Sequence, residues 1–141
     1  MKLTILAVGR LKEAWLEAGA AEYEKRVRVR LPLEIIEVKD EAALLRRLPE
    51  RAELWVLDEG GKQLSSDELA HAIGDRMSRG EPGIAFAIGG ANGHSKALLE
   101  KARTRWSLGR LTLPHRLVRV ILLEQLYRAL AIHRGEPYHR A

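Results

Sequence analysis

The chain predicts an α/β domain with a mostly parallel sheet flanked by helices on both faces. Three observations carry that reading. Five short apolar runs are each followed or separated by a segment of helical character, the alternation of a parallel sheet. Gly9, Pro49, Gly60-Gly61, Gly80 and Pro114 punctuate the boundaries between these segments. No internal repeat, low-complexity stretch or long linker divides the 141 residues, so one domain spans 1–141.

Taken in order, Leu3 to Val8 is a compact apolar run closed by Gly9, a buried first strand. Leu11 to Arg30 can form a helix that places Trp15, Ala18 and Tyr23 at apolar positions. Its basic end, Lys25, Arg26, Arg28 and Arg30, suits the negative pole of the helix dipole. Glu34 to Val38 reads as the second strand, and Glu41 to Leu48 as a short helix stopped by Pro49. Leu54 to Leu57 is a third strand ending at Asp58 and the Gly60-Gly61 turn. Ser65 and Glu68 have capping-box spacing and open a helix running to Arg79. Gly83 to Ile88 is the fourth strand, and Ser95 can cap a helix through Arg103. Trp106 to Leu113 supplies the fifth strand, Pro114 a break, and Leu117 to His133 a final helix closed by Gly135.

Composition narrows the function classes. Hydrophobic content of 46% with 30% charged residues is that of a folded globular chain rather than a disordered one. With no cysteine, disulfides, thiolate metal sites and Cys nucleophiles are excluded. The five histidines lack i, i+4 spacing and have no ligand-like carboxylate beside them, so no metal is expected. The apolar start is too short for a signal peptide, and no run approaches the roughly eighteen residues of a membrane span. A cytoplasmic location is therefore the expectation. From Lys101 onward the chain carries nine Lys/Arg against two acids, or +7. The chain totals +5, so the first hundred residues sum to −2. A basic end of that kind points to a polyanionic partner, nucleic acid first.

Four stretches hold candidate chemistry. The loop IGGANG after the fourth strand lets a ligand approach the backbone at a strand C-terminus, or merely supplies a tight turn. Its spacing is not a dinucleotide fingerprint, and Gly60-Gly61-Lys62 is not a P-loop. Asp58 either meets a ligand hydroxyl or caps a turn. The final helix is apolar around more than one stripe, through Leu117, Val120, Ile121, Leu123, Leu126, Leu130 and Ile132. That breadth fits either a deeply buried helix or one packed on the sheet and on a second subunit; the arginines at 116, 119 and 128 favour the second. The tail at 137–140, Pro-Tyr-His-Arg, offers a hydroxyl, a titratable imidazole and a phosphate-pairing guanidinium, or is a frayed terminus.

Together these motifs resemble a known family. LDEGGK after the third strand, IGGANG after the fourth, WSLGRLTLPHRLVRVILLEQLYRA and GEPYHR are similar to the RlmH family of SPOUT-superfamily RNA methyltransferases. The opening AVGRLKEAWLEAGAAEYEKR matches too, so the resemblance covers nearly the whole chain. It implies a SPOUT-type α/β knot, with the C-terminal part threaded as a trefoil. It further implies a homodimer transferring methyl from S-adenosylmethionine to N3 of a pseudouridine in large-subunit ribosomal RNA, within the assembled ribosome. By position, Leu57 and Gly90 would contact the cofactor with Gly109, Arg110, Leu111, Thr112, Leu113 and Pro114. The segment between the second and third strands is shorter than in many relatives, and the helix lacks the Trp that often follows YRA.

On that basis the acceptor side would be composite. Tyr138 and Arg140 from one subunit would position the pseudouridine over the other subunit's cofactor, with His139 or His115 as proton acceptor. The Lys25–Arg30 cluster, Arg116 and Arg119 would hold RNA phosphates. Two other classes compete: a non-enzymatic RNA-binding factor, which would take up no S-adenosylmethionine, and a flavodoxin-like nucleotide domain, which leaves the basic end unexplained.

Overall fold

A computed structural model describes residues 1–90 and 93–140, with the side chains of residues 139 and 140 outside the description. Five strands form one all-parallel sheet: β1 (Lys2–Val8), β2 (Leu33–Val38), β3 (Glu53–Gln63), β4 (Gly83–Ile88) and β5 (Thr104–Ser107), in the order β2-β1-β4-β3-β5. Between them lie α1 (Ala14–Arg28), α2 (Glu41–Arg46), α3 (Ser66–Ser78) and α4 (Lys96–Lys101). Helix α5 (His115–His133) and a short 3₁₀ turn at Pro137–Arg140 complete the described residues.

The two faces of the sheet are buried separately. On one, α1, α3 and α5 cover Leu3, Ile5, Phe86, Ile88, Trp55 and Trp106. On the other, Leu44 of α2 and Leu98 of α4 cover Leu6, Val56, Ala85 and Ala87. Crossovers from β1 to β2 and from β3 to β4 run one way across the sheet through the first face. Those from β2 to β3 and from β4 to β5 run the opposite way through the second, as a single hand of crossover requires. Trp55 meets Phe86 and Trp106 edge-on at 5.6 and 5.8 Å between ring centroids, the arrangement the ring quadrupoles favour.

Caps agree with the sequence where the signal was chemical. Ser65 accepts from the Glu68 N–H at 3.0 Å while the Glu68 carboxylate accepts from the Ser65 N–H at 2.8 Å, a full capping box. Asp40 and Ser95 make simple N-caps on α2 and α4, accepting from the Ala43 and Leu98 N–H groups. Boundaries that rested on apolar pattern moved more. Helix α1 begins at Ala14 rather than Leu11, and α5 begins directly after Pro114.

Two differences shape the site. Strand β3 does not stop at Asp58. Leu57 and Lys62 both pair with Trp106, so residues 58–61 bulge out while the strand resumes beyond them. The bulge needs Gly61: a Cβ there would lie 2.5 Å from the carbonyl of Arg105. Strand β5, conversely, ends at Ser107. The Ser107 hydroxyl donates to the Gly109 carbonyl at 2.9 Å and accepts from its N–H at 3.1 Å, closing a turn at Gly109, whose φ is +138°. Residues 108–113 therefore leave the sheet as a loop instead of extending it, and Leu111 is 78% exposed.

Helix α5 packs against both α1 and α3 and touches β4 between them. Leu122, Leu123, Leu126, Ala129 and Leu130 are buried under this cover, while Leu117 and Ile121 stay half-exposed. Much of the breadth of its apolar surface thus has an account within one chain. Among the described residues, no helix is long and apolar enough to cross a membrane.

Candidate active site

A cleft of about 500 Å³ opens at the C-terminal ends of β3 and β4 and is roofed by the loop after β5. Strand β3 exits to one face of the sheet and β4 to the other, and their divergence leaves the crevice in which α/β sheets bind ligands. Its volume falls within the roughly 300–1,000 Å³ of small-molecule sites. Three sequence motifs that lie far apart in the chain meet here: the β3 bulge, the glycine loop after β4, and Leu108 to His115.

Leu57, Gly90, Gly109, Leu111, Thr112, Leu113, Pro114 and His115 all line the cleft. Arg110 is exposed in the same loop but is not among the lining residues. Of IGGANG, Ile88, Gly89, Gly90 and Gly93 form the wall, and Ala91 and Asn92 lie outside the described residues. Asp58 caps the turn, one carboxylate oxygen accepting from the Gly60 N–H at 3.4 Å, and the residue also lines the cleft beside Glu59.

Sequence reading missed His94. Its Nε2 hydrogen-bonds the Leu57 carbonyl oxygen at 2.5 Å, tying the β4–α4 loop to β3 just before its bulge, at the cleft wall. Its Nδ1 is buried, with the Glu41 carboxylate 4.0 Å away. The signal was a polar aromatic ring directly after a glycine loop, visible but not distinctive. Trp106, Leu108 and Val118 were likewise read only as strand and helix residues, yet they form apolar walls.

The cleft is chemically two-sided. Leucines, Ile88, Trp106 and Val118 make apolar walls against which a flat ring system can lie, and glycine backbone groups stand at its edge. Asp58 and Glu59 supply negative charge, suited to a cationic ligand. Helix α5 begins at His115 with no side-chain cap on its first N–H groups, which favours an anion.

The tail occupies a different place. The Tyr138 hydroxyl donates to Glu124 of α5 at 3.0 Å and lies 3.1 Å from the Tyr23 hydroxyl of α1. Burial, then the bonds to Tyr23 and Glu124, pushes this phenol well above its ordinary value of 10.0. Glu124 lies nine residues along α5 from His115, about 14 Å at 1.5 Å per residue, and Tyr138 is not among the residues lining its own chain's cleft. His139 and Arg140 follow in the 3₁₀ turn, and their side chains lie outside the described residues.

The basic residues expected to meet phosphate are largely paired within the chain. Arg26 binds Glu22 at 2.7 Å, Arg30 binds Glu136 at 2.5 Å, and Arg116 binds Glu13 at 3.3 Å. Arg119 is buried and paired with Glu37, so it does not face solvent. Among the described residues, no group of three or more His, Asp or Glu could hold a metal ion.

Comparison with known proteins agrees with this architecture. A family model described as "Predicted SPOUT methyltransferase" matches residues 1–139. The ribosomal RNA large subunit methyltransferase H of Carboxydothermus hydrogenoformans is 44% identical, covering 99% of this chain and 100% of the relative. That of Psychrobacter cryohalolentis is 42% identical, covering 99% of each. A methyltransferase structure from Legionella pneumophila, solved with bound cofactor SAM, superposes with a TM-score of 0.51 at 12% identity. The match covers 92% of this chain and 66% of that one, and shows the shared fold. With a full-length family match and full-length relatives above 40% identity, the chain belongs to the SPOUT methyltransferase family, in the group of ribosomal RNA large subunit methyltransferases H.

Proposed function

We propose that this protein is an S-adenosylmethionine-dependent methyltransferase acting on N3 of a pseudouridine in large-subunit ribosomal RNA. The observation that carries the reading is the convergence of the β3 bulge, the glycine loop and the Leu108–His115 loop on one cleft. When bound, S-adenosylmethionine supplies an electrophilic methyl on a sulfonium, open to in-line displacement. The cleft suits it: apolar walls for the adenine, backbone groups at Gly90 and Gly109 to Pro114 for its edge, and Asp58 and Glu59 for its positive charge.

The acceptor N3 carries an imide proton that must leave before its lone pair can attack. Tyr138, His139 and Arg140 form the acceptor side, with Arg140 stabilising the anionic base and His139 or His115 taking the proton. His115 stands in the cleft wall at the N-terminus of α5, whose dipole also favours the deprotonated base. Since Tyr138 is fastened beside Glu124, away from its own cleft, the reading supported is a homodimer in which each tail serves the partner's cleft. The half-exposed Leu117 and Ile121 are suited to that contact. The SPOUT-type trefoil knot, a cytoplasmic location and action on RNA within the assembled ribosome belong to the same proposal.

Calorimetry with S-adenosylmethionine tests the cofactor half directly. Specific one-to-one uptake per chain is expected, and a protein that binds large-subunit RNA but takes up no cofactor would be a binding factor instead.

A further inference from the structure

Terminal segments fray unless something holds them, and the four-residue turn at Pro137–Arg140 packs against α5. Here the tail is fastened at two points, one through Arg30, two residues beyond α1, and one through side chains of α1 and α5. The Arg30 guanidinium donates to both oxygens of Glu136 at 2.5 and 2.6 Å, the bidentate geometry that fixes direction as well as distance. Two residues later, the Tyr138 hydroxyl is engaged by Glu124 and Tyr23, and its ring meets Tyr127 edge-on at 4.8 Å. Arg128 lies 5.0 Å over the Tyr138 ring and donates to Glu124 at 2.8 Å, so the accepting carboxylate is itself held.

We infer that Arg30, Glu136, Glu124 and Tyr138 are positioning residues that hold the backbone from which residues 139 and 140 extend, and that Tyr138 acts by anchoring the tail. The inference rests on the methyl-transfer reading above. It follows from where the hydroxyl is spent: both of its bonds are inside the protomer, to helices of the same chain, so they orient the tail before any RNA arrives. Pre-set geometry of this kind matters because misplacing a reacting group by about 1 Å costs roughly 100-fold in rate. Among the described residues, none of the clamp lines the cleft, so losing it should leave cofactor binding intact.

The test uses the full chain with Arg30→Glu, Glu136→Arg, the double swap, and Tyr138→Phe as the mildest probe. Each single variant should bind S-adenosylmethionine within about twofold of wild type. Its kcat for methyl transfer to large-subunit particles should fall about 10- to 100-fold. Carboxypeptidase should also trim the last residues faster, and the double swap should recover both readouts. Single variants that keep full kcat and resist trimming overturn the inference. So does a double swap that recovers neither, or a parallel loss of cofactor affinity, since either marks a general folding defect. If the wild type methylates no RNA, the functional reading fails, while the trimming measurement still decides whether the clamp holds the tail.

Discussion

Arg119 of α5 is buried against Glu37 of β2, and its other terminal nitrogen donates to the Gly9 carbonyl at 3.0 Å. A cation in the basic third of the chain thus fastens α5 to the C-terminal ends of β1 and β2. The two partners are unequally covered: Arg119 is 5% exposed, whereas 38% of the Glu37 side chain is open to solvent.

That asymmetry predicts unequal mutations. Glu37→Ala strands a buried guanidinium and should cost about 3–5 kcal/mol. Arg119→Met leaves a carboxylate that can hydrate, and should cost only about 1–2 kcal/mol. Urea denaturation of both variants gives the ordering, and a larger loss for Arg119→Met would contradict it.

The β3 bulge and the turn after β5 depend on single glycines. Gly61→Ala drives a methyl into the Arg105 backbone and should destabilise by about 1–3 kcal/mol. Gly109→Ala strains a residue at φ +138°, at a cost on the order of 1–3 kcal/mol. Both should weaken cofactor binding in calorimetry, because each shapes a wall of the cleft.

His94→Ala removes the bond that ties the glycine loop to the Leu57 carbonyl. Cofactor affinity should fall about tenfold, the worth of one hydrogen bond of roughly 1.4 kcal/mol, with little change in kcat at saturation. An equal fall in kcat alone would assign His94 to the reaction instead.

The tail clamp should loosen at both pH extremes. The Arg30 bond holds the Glu136 carboxyl below its ordinary 4.5, so the stability it adds is present above that value and lost as pH falls through the lowered pKa. Tyr138 is raised, so its contribution is complete below its ordinary 10.0 and lost as pH climbs toward the raised value. Carboxypeptidase trimming should be slowest and flat between about pH 5 and 10. Tyr138→Phe should abolish the alkaline limb and Glu136→Gln the acid one.

The sheet and its helices were legible in the sequence because a parallel sheet buries continuous apolar runs, and because Ser65, Ser95 and the glycines act locally. What the pattern could not show depends on side-chain and backbone partners that apolar periodicity does not record. Leu111 and Leu113 alternate like a strand, yet the Ser107–Gly109 turn lifts them off the sheet. Gly60-Gly61 reads as a strand end, yet the pairing of both Leu57 and Lys62 with Trp106 makes it a bulge. Charge was the least transferable signal: most arginines taken for phosphate contacts face carboxylates 4 to 106 residues away in sequence. The Leu-Thr-Leu-Pro-His stretch points to a site only through the family resemblance, and that loop does line the cleft.

The most direct measurement is mass spectrometry of large-subunit ribosomal RNA from cells lacking this protein. The account predicts that one pseudouridine loses a single N3 methyl. It also predicts that the intact chain restores it, while a chain lacking Tyr138 to Ala141 does not. An unchanged methylation pattern, or full restoration by the truncated chain, would contradict it.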